Sequence, residues 1–361
     1  MTSSTAVVEL GFAEPPESPL VAKNFPNKIG GKPYILSADQ VRCEVCRKPM
    51  ILLVQLYTPE DNPPEAFHRT IYVFCCKDGS CHEISWEKRL TTINRTLFRS
   101  QLPKNNPYWQ ENESDKTFIP AKQCTVCGFL GSKMCGKCNQ VNYCSKEHQV
   151  HHWTLGQHKI HCNTMSKPPS LQIIAEHDNH CRKLVLFPEF EVVTEQEGNS
   201  DEEDQRDGDG NDDNSLNDVN SKALVPVGDE VYENTKVDVD KAFLKFQKRI
   251  EQYPDQILRY NRLEYGCEKN AEPLWVSNIG KPTEKDIPSC PHCGQERTFE
   301  FQILSTLLNY LEIDHLQRSS LDWGTLLIYS CKDNCHVENM YYVNEILWRQ
   351  DFSEEGVKGL R

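Results

Sequence analysis

The chain has 361 residues and a formal net charge of −13, from 53 acidic and 40 basic side chains, and it contains 17 cysteines and 12 histidines. It has no run of 18 apolar residues, which argues against a membrane-spanning helix. Residues 1–12 lack the basic head and apolar core of a secretory signal. We therefore expect reduced cysteines that bind metal rather than form disulfides.

The N-terminal region, residues 1–118, is predicted to be rich in β-strands. Residues 50–57 (MILLVQLY) and 71–74 (IYVF) form short apolar runs with β-branched or aromatic side chains. A Cys-x2-Cys turn precedes the first run, and a second cysteine pair follows the other run. Two cysteine pairs that flank a hairpin are the ligand pattern of a zinc ribbon. The predicted ligands are Cys43, Cys46, Cys76 and Cys81.

Residues 119–166 contain a dense cluster of cysteines and histidines. The segment has few large apolar side chains, so it needs bound metal to fold. Eight potential ligands in four close pairs fill two tetrahedral zinc sites. The pairs are Cys124 and Cys127, Cys135 and Cys138, Cys144 and His148, and His158 and Cys162. We expect the remaining His151, His152 and His161 to be solvated surface residues.

An acidic segment follows this cluster. Residues 189–218 include 13 acidic side chains and one basic side chain, so they carry most of the net charge. We interpret residues 170–195 as a continuation of the N-terminal half and residues 196–235 as a disordered acidic linker. The alternative is that the linker lends negative charge to the binding of a basic partner.

A helix is predicted where the C-terminal region begins. Asp240 is a suitable N-cap. Phe243, Phe246 and Ile250 recur on one helical face, and a proline follows the run. We therefore expect an amphipathic helix over residues 241–252 that covers one side of a C-terminal sheet.

The C-terminal region, residues 236–361, repeats the pattern of the N-terminal region. Both contain a Cys-x2-Cys turn, apolar strands, and then Cys-Lys-Asp and Cys-His in the same order. We interpret the two regions as duplicated units, which predicts a second four-thiolate zinc site. Its ligands are Cys290, Cys293, Cys331 and Cys335. As alternatives, Cys75 could replace Cys76, and His82 or His336 could replace the cysteine before it.

The predicted fold class is α+β, mainly β. Two related zinc-binding halves form one body, and a small zinc finger is inserted between them. Four zinc ions are expected per chain, which leaves Cys75, Cys181 and Cys267 as free thiols. A catalytic zinc site keeps a position open for water, whereas each predicted site has four protein ligands. Because no catalytic triad, P-loop or dinucleotide motif is present either, we expect no enzyme activity.

The cysteine cluster resembles the MYND-type zinc finger. The resemblance rests on the ligand spacing, on YCSK at residues 143–146, and on Gln149 and Trp153, while His148 stands where many members have cysteine. It implies a cross-braced arrangement in which the first and third ligand pairs share one zinc and the second and fourth share the other. Sequential pairing is the alternative. The resemblance also implies a groove for proline-rich peptides lined by Gln149 and Trp153, although Trp153 could also serve as core.

The chain as a whole resembles the programmed cell death protein 2 family. The resemblance is carried by GGKPYIL at 30–36, FHRTIYVFCC at 67–76, PDQILRY at 254–260 and FEFQIL at 299–304, with Ser305 where relatives often have proline. It implies a non-enzyme that acts as a dedicated chaperone of one small-subunit ribosomal protein, the universal fifth protein of that subunit. This activity would belong to 40S ribosome assembly, between cytoplasm and nucleus. The family name refers to apoptosis, about which the sequence is silent.

Two other functions remain open. A protein-interaction adaptor in transcription or chromatin would act through the MYND-type finger. Direct nucleic-acid binding is disfavoured by the charge of the finger. Residues 120–165 hold five lysines and one glutamate, and two zinc ions with six thiolates lower the net charge of this segment to about +2. That charge is small for phosphate binding. We expect the duplicated halves to bind the client, since a body built from both offers a groove or sheet edge.

Overall fold

The structure is a computed structural model, and it describes ten stretches of the chain. They are residues 7–20, 24–35, 41–82, 95–106, 122–162, 171–198, 240–263, 272–314, 316–317 and 319–353. The predicted acidic linker lies outside these stretches from residue 199 onward, and so does Cys267. No helix within the ten stretches is long and apolar enough to cross a membrane.

The described residues form thirteen β-strands and four α-helices. The strands are β1 (Glu9–Glu14), β2 (Lys28–Ile29), β3 (Ile51–Tyr57), β4 (His68–Cys75), β5 (Arg95–Leu102), β6 (Lys133–Met134), β7 (Asn142–Tyr143), β8 (Phe190–Gln196), β9 (Gln256–Tyr260), β10 (Arg297–Leu304), β11 (Thr325–Cys331), β12 (Tyr342–Asn344) and β13 (Ile346–Gln350). The helices are α1 (Lys146–Thr154), α2 (His158–His161), α3 (Leu171–Val185) and α4 (Lys241–Gln252).

Eleven strands form one antiparallel sheet that turns back on itself. The strand order is β12-β5-β4-β3-β2-β8-β1-β9-β10-β11-β13. The two outermost strands are consecutive in the chain, separated only by Glu345, whose N–H donates to the carbonyl of Leu97 on β5. The sheet therefore closes almost into a barrel, which leaves little free edge for pairing with other chains.

Two hairpins of this sheet have the same construction. β3 pairs with β4, and β10 pairs with β11; a bulge interrupts the register near the start of the first strand in both, between Leu52 and Val54 and between Phe299 and Phe301. A Cys-x2-Cys turn precedes each hairpin, and a second cysteine pair follows it. The structure therefore confirms a mainly β fold with two related halves in one body.

The two halves are joined along two strand pairings. β9 of the C-terminal half pairs with β1 of the N-terminal half, and β12 of the C-terminal half pairs with β5. β8 follows the zinc finger in the chain and lies between β2 and β1. Apart from β12, the strands of each half are neighbours in the sheet, so the two halves meet at these two pairings.

The predicted helix over residues 241–252 is confirmed as α4. The Asp240 carboxylate accepts hydrogen bonds from the N–H groups of Ala242 and Phe243, which caps the helix. Phe246 is buried against Val276 and against Leu304 of β10. The helix thus covers part of the C-terminal half, as its apolar face indicates.

The zinc finger packs directly against the sheet. Phe129 of the finger is 1% exposed, and its ring centroid lies 5.0 Å from that of Phe74 on β4. Gly128 has a φ of +80°, and a Cβ atom there would lie 3.1 Å from the Cβ of Lys32. The finger therefore shares the core of the N-terminal half instead of folding as a detached module.

Candidate metal centres

Four clusters of cysteine and histidine side chains are present in the described residues, and each brings four ligand atoms within 4.8 Å of one another. Together they include all sixteen ligands that the sequence predicts. The sets are Cys43, Cys46, Cys76 and Cys81; Cys124, Cys127, Cys144 and His148; Cys135, Cys138, His158 and Cys162; and Cys290, Cys293, Cys331 and Cys335.

The distances between ligand atoms fit a tetrahedral zinc ion. A Zn–S bond of about 2.3 Å places two sulfurs of a tetrahedron about 3.7 Å apart. The Sγ atoms of Cys46 and Cys76 are 3.6 Å apart, and those of Cys293 and Cys331 are also 3.6 Å apart. A disulfide would require about 2.05 Å. Each set supplies four protein ligands, so the donor chemistry and the spacing fit closed structural zinc sites.

The finger has the cross-braced arrangement. The Sγ atom of Cys144 lies 3.4 Å from that of Cys127 and 3.2 Å from Nδ1 of His148, so the third ligand pair meets the first. The Sγ atom of Cys138 lies 3.5 Å from Nε2 of His158, so the fourth pair meets the second. The alternative of sequential pairing is therefore wrong.

A shared backbone turn builds all four Cys-x2-Cys pairs. The residue after the second cysteine has a positive φ in every case: 60° at Arg47, 80° at Gly128, 55° at Asn139 and 77° at Gly294. Its N–H donates to the carbonyl of the first cysteine over 2.9–3.0 Å. Glycine and asparagine tolerate this left-handed conformation, whereas arginine adopts it at a cost.

Helix α1 positions the ligand His148 through its N-cap. Ser145 is fully buried, and its Oγ accepts a hydrogen bond from the N–H of His148 over 3.2 Å. The Ser145 side chain thereby accepts a hydrogen bond from an N–H group of the first turn that has no partner within the helix. The helix consequently begins at a point that holds both ligands of the pair together.

The expectation that His152 is a solvated surface residue is wrong. His152 is 4% exposed; its Nδ1 lies 2.8 Å from the Tyr143 hydroxyl, and its Nε2 lies 2.8 Å from Oδ1 of Asp178 on α3. A Cβ on Gly156 would lie 2.4 Å from the His152 ring, so glycine provides the space for it. The sequence offers no local signal for this contact, because Asp178 belongs to a helix outside the finger.

The other two surplus histidines differ from each other. His151 is exposed, as expected. His161 is half-buried, and its Nε2 lies 2.7 Å from Nδ1 of His177 on α3. Since His152 and His161 both contact α3, this helix forms a second docking surface for the finger.

The alternative ligands of the two halves lie outside the four clusters. Nε2 of His82 lies 2.9 Å from the carbonyl oxygen of Cys76. Cys75 is buried in the hydrophobic core, and His336 is exposed. The cysteines therefore supply all four ligand atoms of both clusters. Cys181 is a buried free thiol on α3.

Gln149 and Trp153 lie on α1 and are both partly exposed. The Trp153 ring packs edge-on against the ligand His158, with 5.8 Å between centroids. Lys137 Nζ lies 5.9 Å from the Trp153 ring centroid. Trp153 thus packs against the second metal cluster and is itself partly exposed, and its role in peptide binding stays a prediction.

Comparison with known proteins covers nearly the whole chain. Residues 7–116 match the profile of the N-terminal domain of programmed cell death protein 2, residues 240–351 match that of its C-terminal domain, and residues 124–162 match the MYND finger. Programmed cell death protein 2 from Bos taurus is 34% identical over 98% of this chain and 99% of its own length. The protein of that name from Mus musculus is 34% identical over 96% and 97%.

A relative in yeast has a different name. Probable 20S rRNA accumulation protein 4 from Schizosaccharomyces pombe is 32% identical over 30% of this chain and 26% of its own length. No solved structure matches the chain at a significant level.

Proposed function

Because the chain belongs to the programmed cell death protein 2 family, we propose that it is a dedicated chaperone of one small-subunit ribosomal protein, the universal fifth protein of that subunit. The chain would bind this client through its duplicated halves and escort it to 40S ribosome assembly. The name of the S. pombe relative, which refers to 20S rRNA accumulation, supports a role in ribosome biogenesis.

The observation that carries the proposal is the composite body. Strands of both halves lie in one sheet and are joined where β1 pairs with β9 and where β5 pairs with β12, so surfaces made from both halves are held in one geometry. Each metal cluster offers four protein ligands, which would leave no open position on a tetrahedral zinc ion, and this suits a binding protein better than a hydrolytic enzyme. The net charge of −13 favours association with a basic client.

The proposed role is non-catalytic and spans two compartments. Ribosomal proteins are made in the cytoplasm and assembled in the nucleus, so an escort would be present in both. A basic client without its RNA exposes positive charge, and an acidic partner reduces non-specific association with other nucleic acids.

Affinity purification tests the proposed function. The full-length tagged chain is purified soon after lysis from nuclease-treated cells, and its partners are identified by mass spectrometry. We expect the single ribosomal protein in near-equal amount, without the remaining proteins of the subunit. Recovery of no ribosomal protein would contradict the proposal, and so would recovery of whole subunits, and of no single ribosomal protein, from a parallel lysate left without nuclease.

A second candidate function is an adaptor that binds proline-rich peptides through the finger. The partly exposed Gln149 and Trp153 favour it. Because Phe129 is buried against the sheet, a detached finger would expose apolar surface, so peptide binding is best measured on the full chain. Gln149→Ala is the informative variant, since Trp153 also packs on His158. Unchanged peptide affinity in this variant would argue against the groove.

A further inference from the structure

A groove of about 460 Å³ lies between the two halves, away from all four metal clusters. Its floor includes Phe12 of β1 and Val193 of β8, which lie opposite each other in the register of the sheet. The other side is formed by residues 252–255, at the end of α4, and by Tyr310. Both halves therefore contribute to the groove, and it exists only in the assembled body.

The floor of the groove is apolar and open to solvent. Val193 is 37% exposed, and Phe12, Tyr253 and Tyr310 are half-buried. Apolar and aromatic side chains that remain accessible in a concave surface are characteristic of ligand grooves. They offer packing for the aliphatic part of a long side chain.

The charge around this floor has a single sign. Glu14, Glu195 and Asp255 line the groove and are exposed, and the lining includes no basic side chain. Glu14 also lies directly opposite Glu191 on the neighbouring strand, and Glu191 in turn lies opposite Lys28 of β2. The three lining carboxylates favour a cationic occupant.

The carboxylates of the groove lack compensation within the described residues. None of Glu14, Glu195 and Asp255 forms an ion pair there. Glu197 nearby in sequence differs, because it pairs with both Arg249 and Arg259. The groove thus presents to an incoming ligand three acids that have no ion-pair partner among the residues the structure describes.

The sequence that follows β8 is also acidic. Residues 199–218 contain nine acidic side chains and one basic side chain. A concentration of one sign raises the association rate of an oppositely charged partner, with a strong dependence on ionic strength.

We propose that this groove is the docking site for a basic segment of the client, and this rests on the proposed function for the identity of that client. Lysine or arginine side chains of the segment pair with Glu14, Glu195 and Asp255. Their aliphatic stems pack on Phe12 and Val193. Electrostatic complementarity of this kind sets the specificity and the rate of association.

A double charge reversal tests the proposal in the full-length chain. The tagged Glu14→Lys/Glu195→Lys variant is co-expressed with the ribosomal protein, and the client recovered per chain is quantified. Glu272→Lys/Glu284→Lys is the control, because it makes the same change of charge at exposed positions outside the groove lining. We expect recovery to fall by about tenfold or more in the groove variant and to stay within about twofold in the control, since like charges that face each other in an interface weaken binding.

The possible outcomes distinguish a failure of the groove proposal from a failure of the proposed chaperone function. If the wild type and both variants retain the client equally, the groove proposal is overturned and the chaperone function stands. If the wild type retains no client, the proposed function fails. If the groove variant loses zinc or thermal stability, Glu14→Gln/Glu195→Gln replaces it, and recovery equal to the wild type again overturns the proposal. A dimer of the chain that the charge reversal abolishes would identify the groove as a self-interface and overturn it too.

Discussion

Arg69 on β4 and Glu300 on β10 form a bidentate ion pair inside the sheet. The distance from Nη1 to Oε1 is 2.5 Å and that from Nη2 to Oε2 is 2.7 Å, and neither side chain is exposed. The two residues belong to different halves. Ser330 and Arg262 of the C-terminal half also approach the Glu300 carboxylate. An unpaired charge in this place is strongly unfavourable, so the pair favours one relative placement of the halves.

Removal of one partner of this pair should destabilise the whole body. We expect Arg69→Met to lower the free energy of unfolding by about 3 to 5 kcal/mol, because it leaves the Glu300 carboxylate buried with weaker compensation. Denaturant unfolding monitored by circular dichroism measures the change. Arg69→Met/Glu300→Leu is the matched control and should lose less than the single variant, since no unpaired charge remains. A larger loss in the double variant would show that the pair itself supplies net stability.

Glu300 should contribute a pH-dependent part of the stability. Burial raises the pKa of its carboxyl, but the Arg69 and Arg262 charges and the Ser330 hydrogen bond outweigh burial and lower it to about 2. A group with a lowered folded-state pKa stabilises above its unfolded pKa, near 4.5, and loses this contribution as the pH falls toward 2. We therefore expect the stability gap between wild type and Glu300→Gln to be on the order of 3 kcal/mol at neutral pH and to narrow below about pH 5.

Unfolding curves between pH 3 and 7 in excess zinc check this expectation. The difference between the two proteins removes the acid effect on the metal clusters, because both carry the same ligands. A gap that stays constant over this range would contradict the assignment of a low pKa to Glu300.

Local patterns in the sequence predict the metal-ligand sets and several helices and strands, because each of these features depends on residues that are close together in the chain. The Cys-x2-Cys turns are short, and the Asp240 cap lies beside its helix. The pairing of Arg69 with Glu300 has no such signal. Arg69 sits at the polar start of an apolar run and reads as a surface residue, and Glu300 lies within FEFQ. Only the closure of the sheet brings together side chains 231 residues apart.

The order of the strands in the sheet likewise could not be predicted from local sequence patterns. β12 leaves its own half to pair with β5, although only three residues, Tyr342–Asn344, make this contact. A three-residue strand has too little periodicity to be assigned from sequence. The contact of His152 with Asp178 depends on α3, for which the cysteine pattern offers no indication.

Loss of one zinc ligand in the C-terminal half should remove one metal ion and much of that half's stability. Cys290→Ser and Cys331→Ser each break a four-thiolate set, and metal binding contributes on the order of 10 kcal/mol to such sites. We expect elemental analysis to give four zinc ions per wild-type chain and three in each variant, with reduced soluble yield. Cys267→Ser is the control, and it should retain four. A result of two zinc ions per wild-type chain would show that neither half binds zinc.

Gly79 should be essential to the contact between the halves. A Cβ atom at this position would lie 1.9 Å from the carbonyl oxygen of Ser319 and 2.8 Å from the N atom of Leu321, so the C-terminal segment passes directly over the N-terminal zinc turn. We expect Gly79→Ala to cost about 3 kcal/mol or more, since backbone must move. Gly136→Ala is the control, because no atom lies within 4 Å of its Cβ. Equal melting temperatures for the two variants would show that the C-terminal segment does not pass over Gly79.

Reconstitution of the client complex from two purified proteins tests the central claim most directly. The full-length chain and the small-subunit ribosomal protein, both free of nucleic acid, are mixed at physiological salt and separated by size-exclusion chromatography with light scattering. We expect a soluble complex with one copy of each protein, while the ribosomal protein alone aggregates or adsorbs. Separate elution of a folded, zinc-loaded chain, with the ribosomal protein no more soluble than on its own, would contradict it.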